Sequence, residues 1–282
     1  MRGRLFLLGI AILASGALGS PRAQTVALGR ADSLKFAVIG DNGTGGRPQF
    51  EVGQQMTALR ATFPFEFVLM MGDNLYGTQD FVTKFERPYQ ALLSAGVKFY
   101  AAIGNHDDAQ LQVRYPAFNM NGARYYSFVK RHVRFVVADT NFLDQVQLAW
   151  LENTLRSATE QWTIVFFHHP LYSNGDRHGS NVELRVRLEP LLVAHGVDVV
   201  MSGHDHIYER IAPQKGITYF VIGSSGQLRR GGLTPSQITA AGFADDQAFT
   251  VMEIAGPDLT FQTLSRTGRI VDSGVIRSRR TS

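Results

Sequence analysis

Short apolar runs alternate with amphipathic segments along the first two thirds of the chain. The runs have the length of buried strands, and the segments between them carry apolar residues at helical spacing. Strands that alternate with helices in this order are typical of a layered α/β fold. The predicted strands span 34–39, 65–70, 97–102, 162–167 and 197–201, and the predicted helices span 48–61, 80–95, 144–157 and 182–195.

The middle and the end of the chain depart from this alternation and indicate further β-structure. Apolar runs at 125–129 and 133–137, joined by a short basic segment, predict a hairpin. Beyond Ile217 the pattern is mostly β, with strands predicted near 217–223, 247–254, 258–264 and 269–276. The sequence contains no internal repeat and no long linker, so we expect a single domain over 24–282.

Each of the five buried strands in the first paragraph is followed by Gly or His and a side chain that can bind a metal. Two histidines in a His-x-His pattern are weak evidence alone, because two surface histidines would look the same. Five such endings in order predict a metal site where the carboxyl ends of the strands meet. The endings are Gly40-Asp41, Gly72-Asp73, Gly104-Asn105-His106, His168-His169 and Gly203-His204-Asp205-His206.

Composition narrows the possible partners of this site. The 282 residues are 44% hydrophobic and 18% charged, as in a globular protein with a sizeable core. The net charge of +4 suits an anionic substrate. No Lys/Arg run predicts a nucleic acid as a specific partner, and the basic tail at 277–280 is interpreted as a solvated end. The oligomeric state is left open.

The absence of cysteine restricts the metal chemistry. It excludes disulfides, thiolate-bound zinc and a lipid-modified cysteine anchor. A metal must therefore be held by oxygen and imidazole ligands, which suit hard or borderline cations.

The first residues have the pattern of a secretory signal peptide, assigned to 1–23. Arg2 and Arg4 precede an apolar stretch at 5–18, and small residues follow. The stretch is shorter than the ~20 residues of a membrane span, so an N-terminal anchor is the weaker alternative. Pro21 makes cleavage after Ala23 a poor fit, and the cleavage site stays open. We expect a periplasmic or secreted bacterial protein without a stable membrane anchor.

The ligand set is larger than one ion requires. Two carboxylates with three or four histidines exceed the needs of one tetrahedral ion. Asp73, in the middle of the set, could bridge two ions ~3.5–4 Å apart, as in two-metal hydrolytic sites. Such a pair clamps a phosphoryl oxygen and lowers the pKa of a bound water, which makes a nucleophile near neutral or acidic pH.

The five endings, with Asn42-Gly43, Asn74-Leu75-Tyr76 and Pro170 beside them, resemble the motifs of the calcineurin-like metallophosphoesterases. More narrowly, they resemble the small, single-domain, mammalian-like purple acid phosphatases, and the resemblance covers nearly the whole chain after the leader. It implies an αββα sandwich, in which helices flank two mixed β-sheets. It also implies hydrolysis of phosphomonoesters by a metal-bound water or hydroxide at a centre of Fe(III) with Fe(II), Zn(II) or Mn(II).

The resemblance also distributes the ligands by position. Asp73 would bridge the ions. The first ion would be held by Asp41, Tyr76 and His206, and the second by Asn105, His168 and His204. Most members of the superfamily have Asp-x-His at the first motif, whereas this chain has Gly43. Tyr76 would replace the missing imidazole, and a phenolate is a hard anionic ligand that favours Fe(III).

The other histidines are given roles by their neighbours. His169 is expected to support the ligand His168, which has the family's place two residues before the proline. His106 and His178 resemble substrate-side residues, and either could be the general acid. The reading of His178 as a plain surface-loop histidine stays open. Expected supporting residues are Asp107 and Asp139, and histidines interpreted as structural are His132 and His195.

Three functions remain after this reasoning. An acid phosphatase acting on small phosphate esters or phosphorylated metabolites is the leading one. A phosphodiesterase or nucleotide-cleaving enzyme with a divalent pair is the alternative, to be decided by the loops at 173–180 and 228–246. A binding or adhesion protein that keeps the fold without catalysis is opposed by the complete ligand set.

Overall fold

A computed structural model describes residues 28–280, so the predicted signal segment at 1–23 lies outside the described residues. Within that range the chain forms two mixed sheets, one of six strands and one of seven. The strands are β1 Leu34–Ile39, β2 Phe67–Met70, β3 Lys98–Ala101, β4 Tyr126–Lys130, β5 Val133–Val137, β6 Trp162–Phe166, β7 Val199–Ser202, β8 Tyr208–Gln214, β9 Ile217–Ile222, β10 Thr239–Phe243, β11 Ala248–Ala255, β12 Asp258–Ser265 and β13 Ile270–Arg277.

The helices begin where the sequence supplies a suitable first residue. Pro48 stands in the first turn of α1, where its missing N–H costs nothing. Asp144 and Asn181 cap α4 and α5 by accepting a hydrogen bond from a backbone N–H in the first turn. None of the helices at 28–280 is long and apolar enough to cross a membrane. The helices are α1 Arg47–Arg60, α2 Gln90–Ser94, α3 Ala109–Gln112, α4 Gln145–Arg156 and α5 Val182–Ala194.

The order of strands brings the carboxyl ends of the parallel strands to one edge. In the six-stranded sheet the order is β13-β12-β11-β1-β2-β3, and β1, β2 and β3 are parallel. In the seven-stranded sheet the order is β10-β8-β9-β7-β6-β5-β4, and β5, β6, β7 and β9 are parallel. Polar residues that follow these strands therefore gather at one edge of the sandwich.

Alternating side chains divide the seven-stranded sheet between two cores. Phe135 and Phe166 point into the larger core, where aromatic rings of the two sheets meet, as in the edge-to-face contact of Phe36 with Phe135 at 5.5 Å. Val136 and Val165 point the other way, into a second core covered by α4 and α5. The helix-flanked pair of sheets confirms the predicted αββα sandwich.

One local prediction was wrong, and two strands were missed. The helix expected at 80–95 is a π-helical turn at Val82–Glu86 followed by the short α2, because Pro88 cannot donate a helical hydrogen bond. Strands β8 and β10 were not predicted. The first mixes charged residues with a proline, and the centre of the second is Ala-Ala-Gly, so neither has the apolar alternation of a typical strand.

Candidate metal centre

Both sheets contribute side chains to one buried cluster at their common edge. Asp41 follows β1 and Asp73 follows β2, while His168 follows β6 and His204 follows β7. Hydrogen bonds join the two sheets at this point. The His204 backbone N–H donates to Asp41 Oδ2 at 2.9 Å, and His168 Nδ1 contacts the Met71 carbonyl oxygen at 2.9 Å.

The first group of ligand-type side chains is rich in oxygen. Single donor atoms of Asp41, Asp73 and His206 lie within 4.8 Å of one another. The Tyr76 hydroxyl joins them, 3.1 Å from Asp41 Oδ1 and 3.0 Å from His206 Nε2. Asp41 and Asp73 are fully buried at the floor of the site.

The second group is rich in nitrogen. Donor atoms of His168, His169 and His204 lie within 4.8 Å of one another. His168 Nε2 stands at the centre, 3.0 Å from Asn105 Oδ1 and 3.2 Å from His204 Nδ1. His169 turns its Nδ1 to the Thr140 hydroxyl at 2.8 Å, so part of its binding capacity is already used.

Asp73 belongs to the first group and also touches the second. Its Oδ1 lies 3.4 Å from His168 Nε2 and accepts a hydrogen bond from the His106 backbone N–H at 2.9 Å. Asp73 therefore lies between the two groups.

Glycines allow the backbone to fold this tightly. A Cβ at Gly43 would lie 1.8 Å from the Asn74 carbonyl oxygen, so no side chain fits there. This contact explains why a histidine, which is common at that position in the superfamily, cannot be present. Asn74, whose carbonyl fills the space, lies two residues before Tyr76. Asp41, Asp73 and His204 all have a positive φ, of 51°, 51° and 71°. Backbone strain at several residues of one cluster is typical of functional sites.

Burial decides the protonation of the cluster. Desolvation raises the pKa of Asp41 to about 7 against the hydrogen bond from His206, and the charge of Asp73 adds to the rise. Burial and the same two carboxylates raise the pKa of Tyr76 far above its usual value. Burial, with neighbouring histidines, lowers the pKa of His204 to about 2 and that of His168 well below its usual value.

These protonation states leave lone pairs facing each other. With His168 neutral and its Nδ1 proton donated to the Met71 carbonyl, its Nε2 is an acceptor. That acceptor faces the Asn105 Oδ1 acceptor at 3.0 Å and the Asp73 carboxylate at 3.4 Å. Converging acceptors are what a cation requires, and a ligand histidine fixed through its other nitrogen is usual in metal sites. The residues therefore fit a metal centre.

A small cleft of about 130 Å³ opens above the cluster. Its floor includes the buried Asp73, and its exposed rim carries His106 and His178 as predicted. Two arginines that the sequence reasoning did not single out, Arg177 and Arg229, also line it. Both lie in the loops at 173–180 and 228–246, which the sequence analysis named as deciding between the phosphatase and phosphodiesterase functions.

The rim histidines are held by buried carboxylates. The His178 ring packs on His204 with centroids 4.0 Å apart, and its backbone N–H donates to Asp205 Oδ1 at 3.2 Å. Burial lowers the pKa of His178, partly offset by Asp205. Asp107 accepts hydrogen bonds from the backbone N–H groups of Gly104 and Leu75, so it braces the segment that carries Asn105 and His106.

The remaining predicted residues lie beside the cluster or at the opposite edge of the fold. Asp139 pairs with Arg124 at 3.2 Å and accepts from the Asn141 backbone N–H, beside the Thr140 that contacts His169. The structural histidines are far from the cleft in the fold. His132 lies in the turn before β5 and His195 at the end of α5, both at the edge opposite the site.

Comparisons with known proteins bear on the same residues. The sequence profile of the family described as calcineurin-like phosphoesterase matches residues 34–208, which include all five strand endings. Tartrate-resistant acid phosphatase type 5 of Homo sapiens is 24% identical over 297 residues, which cover 87% of this chain and 91% of the human protein.

Solved structures share the fold. The structure described as GAP50, the anchor in the inner membrane complex of Plasmodium, has a TM-score of 0.77 at 21% identity and covers 89% of this chain and 90% of its own. Purple acid phosphatase PPD1 from yellow lupin (Lupinus luteus) seeds has a TM-score of 0.71 at 17% identity. That match covers 88% of this chain, which spans about half of the lupin enzyme, 54% of its length.

Proposed function

This chain belongs to the calcineurin-like phosphoesterase family, and from that premise we propose that it is an acid phosphatase that hydrolyses phosphomonoesters at a binuclear metal centre. The names of its curated relatives, which are tartrate-resistant and purple acid phosphatases, support this reaction. The substrates are small phosphate esters or phosphorylated metabolites, and the basic net charge of +4 suits them.

The oxygen-rich group holds the first ion, which is Fe(III). Asp41, Tyr76 and His206 would be its ligands, and Asp73 would be shared with the second ion. The support is the close packing of the Tyr76 hydroxyl against Asp41 and His206. A buried phenol among carboxylates loses its proton only beside a strong cation, and phenolate is a ligand that Fe(III) prefers.

The nitrogen-rich group holds the second ion, which is Fe(II), Zn(II) or Mn(II). Asn105, His168 and His204 are its ligands, and two imidazoles with an amide oxygen suit a divalent borderline ion. His169 orients this group through Thr140 rather than binding directly.

When both ions are bound, they polarise the phosphoryl group and lower the pKa of the attacking water. The protein's own contribution is proton transfer and orientation. His106 and His178 stand on the rim where the departing alcohol must leave, and one of them gives it a proton. The backbone N–H groups of His106 and His178 donate to Asp73 and Asp205, and Asp107 braces the segment before His106 through the Gly104 N–H, so both histidines are held beside the floor of the cleft.

The observation that carries the proposal is the close approach of hydrogen-bond acceptors, since Asn105 Oδ1 and Asp73 Oδ1 lie 3.0 Å and 3.4 Å from His168 Nε2. A protein that kept only the fold, for example as an anchor or adhesion module, would have no need to retain this arrangement. Secretion to the periplasm or outside the cell is part of the proposal and rests on the leader at 1–23.

The test is metal analysis of the purified protein together with hydrolysis of a chromogenic phosphomonoester at acidic pH. Two ions per chain, one of them iron, and turnover that a chelator abolishes are expected. A diester of the same phenol distinguishes the proposed acid phosphatase from a phosphodiesterase, because the acid phosphatase should hydrolyse the diester much more slowly than the monoester. A protein that binds two ions but hydrolyses neither ester would contradict the proposal.

A further inference from the structure

The cleft has a charged rim that the phosphatase reaction itself does not use. Arg177 and Arg229 are exposed and line the same cleft as the buried Asp73. The floor is occupied by the side chains proposed to hold the ions, so the scissile phosphoryl group must bind there. The arginines therefore stand beside whatever is attached to that phosphoryl group.

Arg229 is fixed in place at both its backbone and its side chain. Its backbone N–H donates to the His206 carbonyl oxygen at 2.9 Å, and its Nε donates to Asp176 Oδ1 at 2.9 Å. The two loops that carry these residues are joined further by a hydrogen bond from the Asp176 N–H to the Gly232 carbonyl at 3.0 Å. A guanidinium has five donors, so the Nη groups remain for a ligand.

Arg177 has a fixed backbone and a free side chain. It precedes His178, whose N–H is held by Asp205 and whose ring packs on His204. Within residues 28–280 no hydrogen bond or ion pair holds the Arg177 guanidinium. Asp176 balances one of the two positive charges, so the rim keeps a net positive charge.

We propose that Arg177 and Arg229 form a clamp for a second anionic group on the substrate, so that this enzyme selects phosphate compounds whose leaving group is itself charged. The inference rests on the proposed phosphatase function and names its substrate class. A phosphate or carboxylate on the leaving group fits the clamp, because guanidinium binds either oxyanion with paired hydrogen bonds. Because Arg229 is already held in position, little conformational freedom is lost on binding.

The test compares substrates that differ only in this second group. Glycerol 3-phosphate and 3-phosphoglycerate have the same three-carbon frame, and only the second carries a carboxylate. In inorganic pyrophosphate the second anionic group is a phosphate instead of a carboxylate. Comparing it with 3-phosphoglycerate therefore shows which of the two anions the clamp binds better. The variants are Arg177→Gln, Arg229→Gln and the double variant. Arg230→Gln is the matched control, because Arg230 is exposed and adjacent but lies outside the lining of the cleft.

We expect kcat/KM for 3-phosphoglycerate and pyrophosphate to fall about tenfold with each arginine removed, mostly through KM. The value for glycerol 3-phosphate should change less than about threefold, and Arg230→Gln should match the wild type on all three compounds. The preference for the charged leaving group should also weaken at high salt, since the rim is exposed. Equal losses on all substrates, or no loss on any, would overturn the clamp.

A binding measurement keeps the clamp separate from the phosphatase proposal. Titration calorimetry of the metal-loaded protein with the phosphonate analogues of 3-phosphoglycerate and glycerol 3-phosphate, in which CH2 replaces the ester oxygen, reports selection without turnover. If the wild type hydrolyses none of the esters, the proposed function fails, whereas tighter binding of the 3-phosphoglycerate analogue that is lost in the double variant still supports the clamp. Equal binding of the two compounds by the wild type refutes it.

Discussion

The two halves of the metal centre differ in charge although they share one floor. The first half combines Asp41 and His206 with the Tyr76 hydroxyl, and the second combines His168 and His204 with an amide. The first can carry negative charge on its own ligands, and the second is built from neutral ones. Asp73 is a carboxylate that reaches both.

This difference teaches how one cleft can hold two unlike ions. A buried carboxylate beside another carboxylate is unfavourable until a cation offsets the charge, and a trivalent ion offsets more than a divalent one. Neutral imidazoles need no such offset and suit a divalent ion. The oxygen-rich half should therefore hold its ion more tightly than the nitrogen-rich half.

The largest effect is expected where the halves join. Asp73→Asn keeps the shape and tolerates the positive φ of 51°, but it removes the shared negative charge. We expect loss of at least one ion and a fall in kcat of about a thousandfold or more, with the fold retained. Metal analysis, kinetics and circular dichroism measure this. Asp258→Asn, a surface carboxylate paired with Arg30, is the control. Two firmly held ions with near-normal turnover in Asp73→Asn would disprove the bridging role.

The second largest effect is expected when the general acid is replaced, and it shows which half of the centre lies next to the leaving group. The His106 ring lies 4.9 Å from Tyr76 of the first half, and the His178 ring lies 4.0 Å from His204 of the second. Replacing the general acid with Asn should lower kcat/KM about a hundredfold for an alkyl phosphate, which needs leaving-group protonation, and far less for an activated aryl ester. The other histidine should affect both esters alike. If each variant lowers kcat/KM equally for the two esters, both histidines position the substrate and neither is the general acid.

In the presence of chelator, ionisable groups in the two halves should change the stability of the fold with pH in opposite directions. The raised pKa of Asp41, about 7 in the fold and ~3.9 when unfolded, lets the folded state keep a proton that the unfolded state has released. Stability is then lost as pH rises from about 4 to about 7. The lowered pKa of His204, about 2 against ~6.5 when unfolded, acts oppositely, and stability is lost as pH falls below about 6.5.

Variants in the two halves test these signs. Relative to wild type, the Tm of Asp41→Asn should rise as pH goes from about 4 to about 7, and that of His204→Asn should rise as pH falls below about 6.5. Each shift should be a few degrees, measured by thermal unfolding in the presence of chelator. Parallel pH profiles for the two variants would contradict the opposite electrostatics of the halves.

The smallest effect on activity is expected at Tyr76. Tyr76→Phe keeps the ring but removes the phenolate, so the visible charge-transfer band of the iron-loaded protein should disappear. Turnover should fall less than about tenfold, because Asp41, Asp73 and His206 still hold the ion. Absorption spectra and kinetics are measured beside Tyr125→Phe, whose ring packs on Trp150. An unchanged band in Tyr76→Phe would assign the first ion to other ligands.

Much of this centre was readable from local sequence. Apolar runs mark the strands because burial demands them, and a polar residue just past a buried strand must lie at the sheet edge. Asp41, Asp73, His168 and His204 could therefore be proposed before the fold was known. The αββα architecture and the ligand distribution came from the family resemblance, since spacing alone does not say which strands become neighbours.

Features of the site that depend on contacts between distant segments could be seen only in the tertiary structure. The floor forms because hydrogen bonds such as that from the His204 N–H to Asp41 join the two sheets. The absence of a histidine at position 43 is explained by the Asn74 carbonyl oxygen, which leaves no room for a side chain there. Arg229 reaches the cleft through contacts to His206 and Asp176, which are remote in sequence. Propensity and spacing are local quantities, so they locate the strand endings, whereas packing of the two sheets and their loops decides which side chains meet above them.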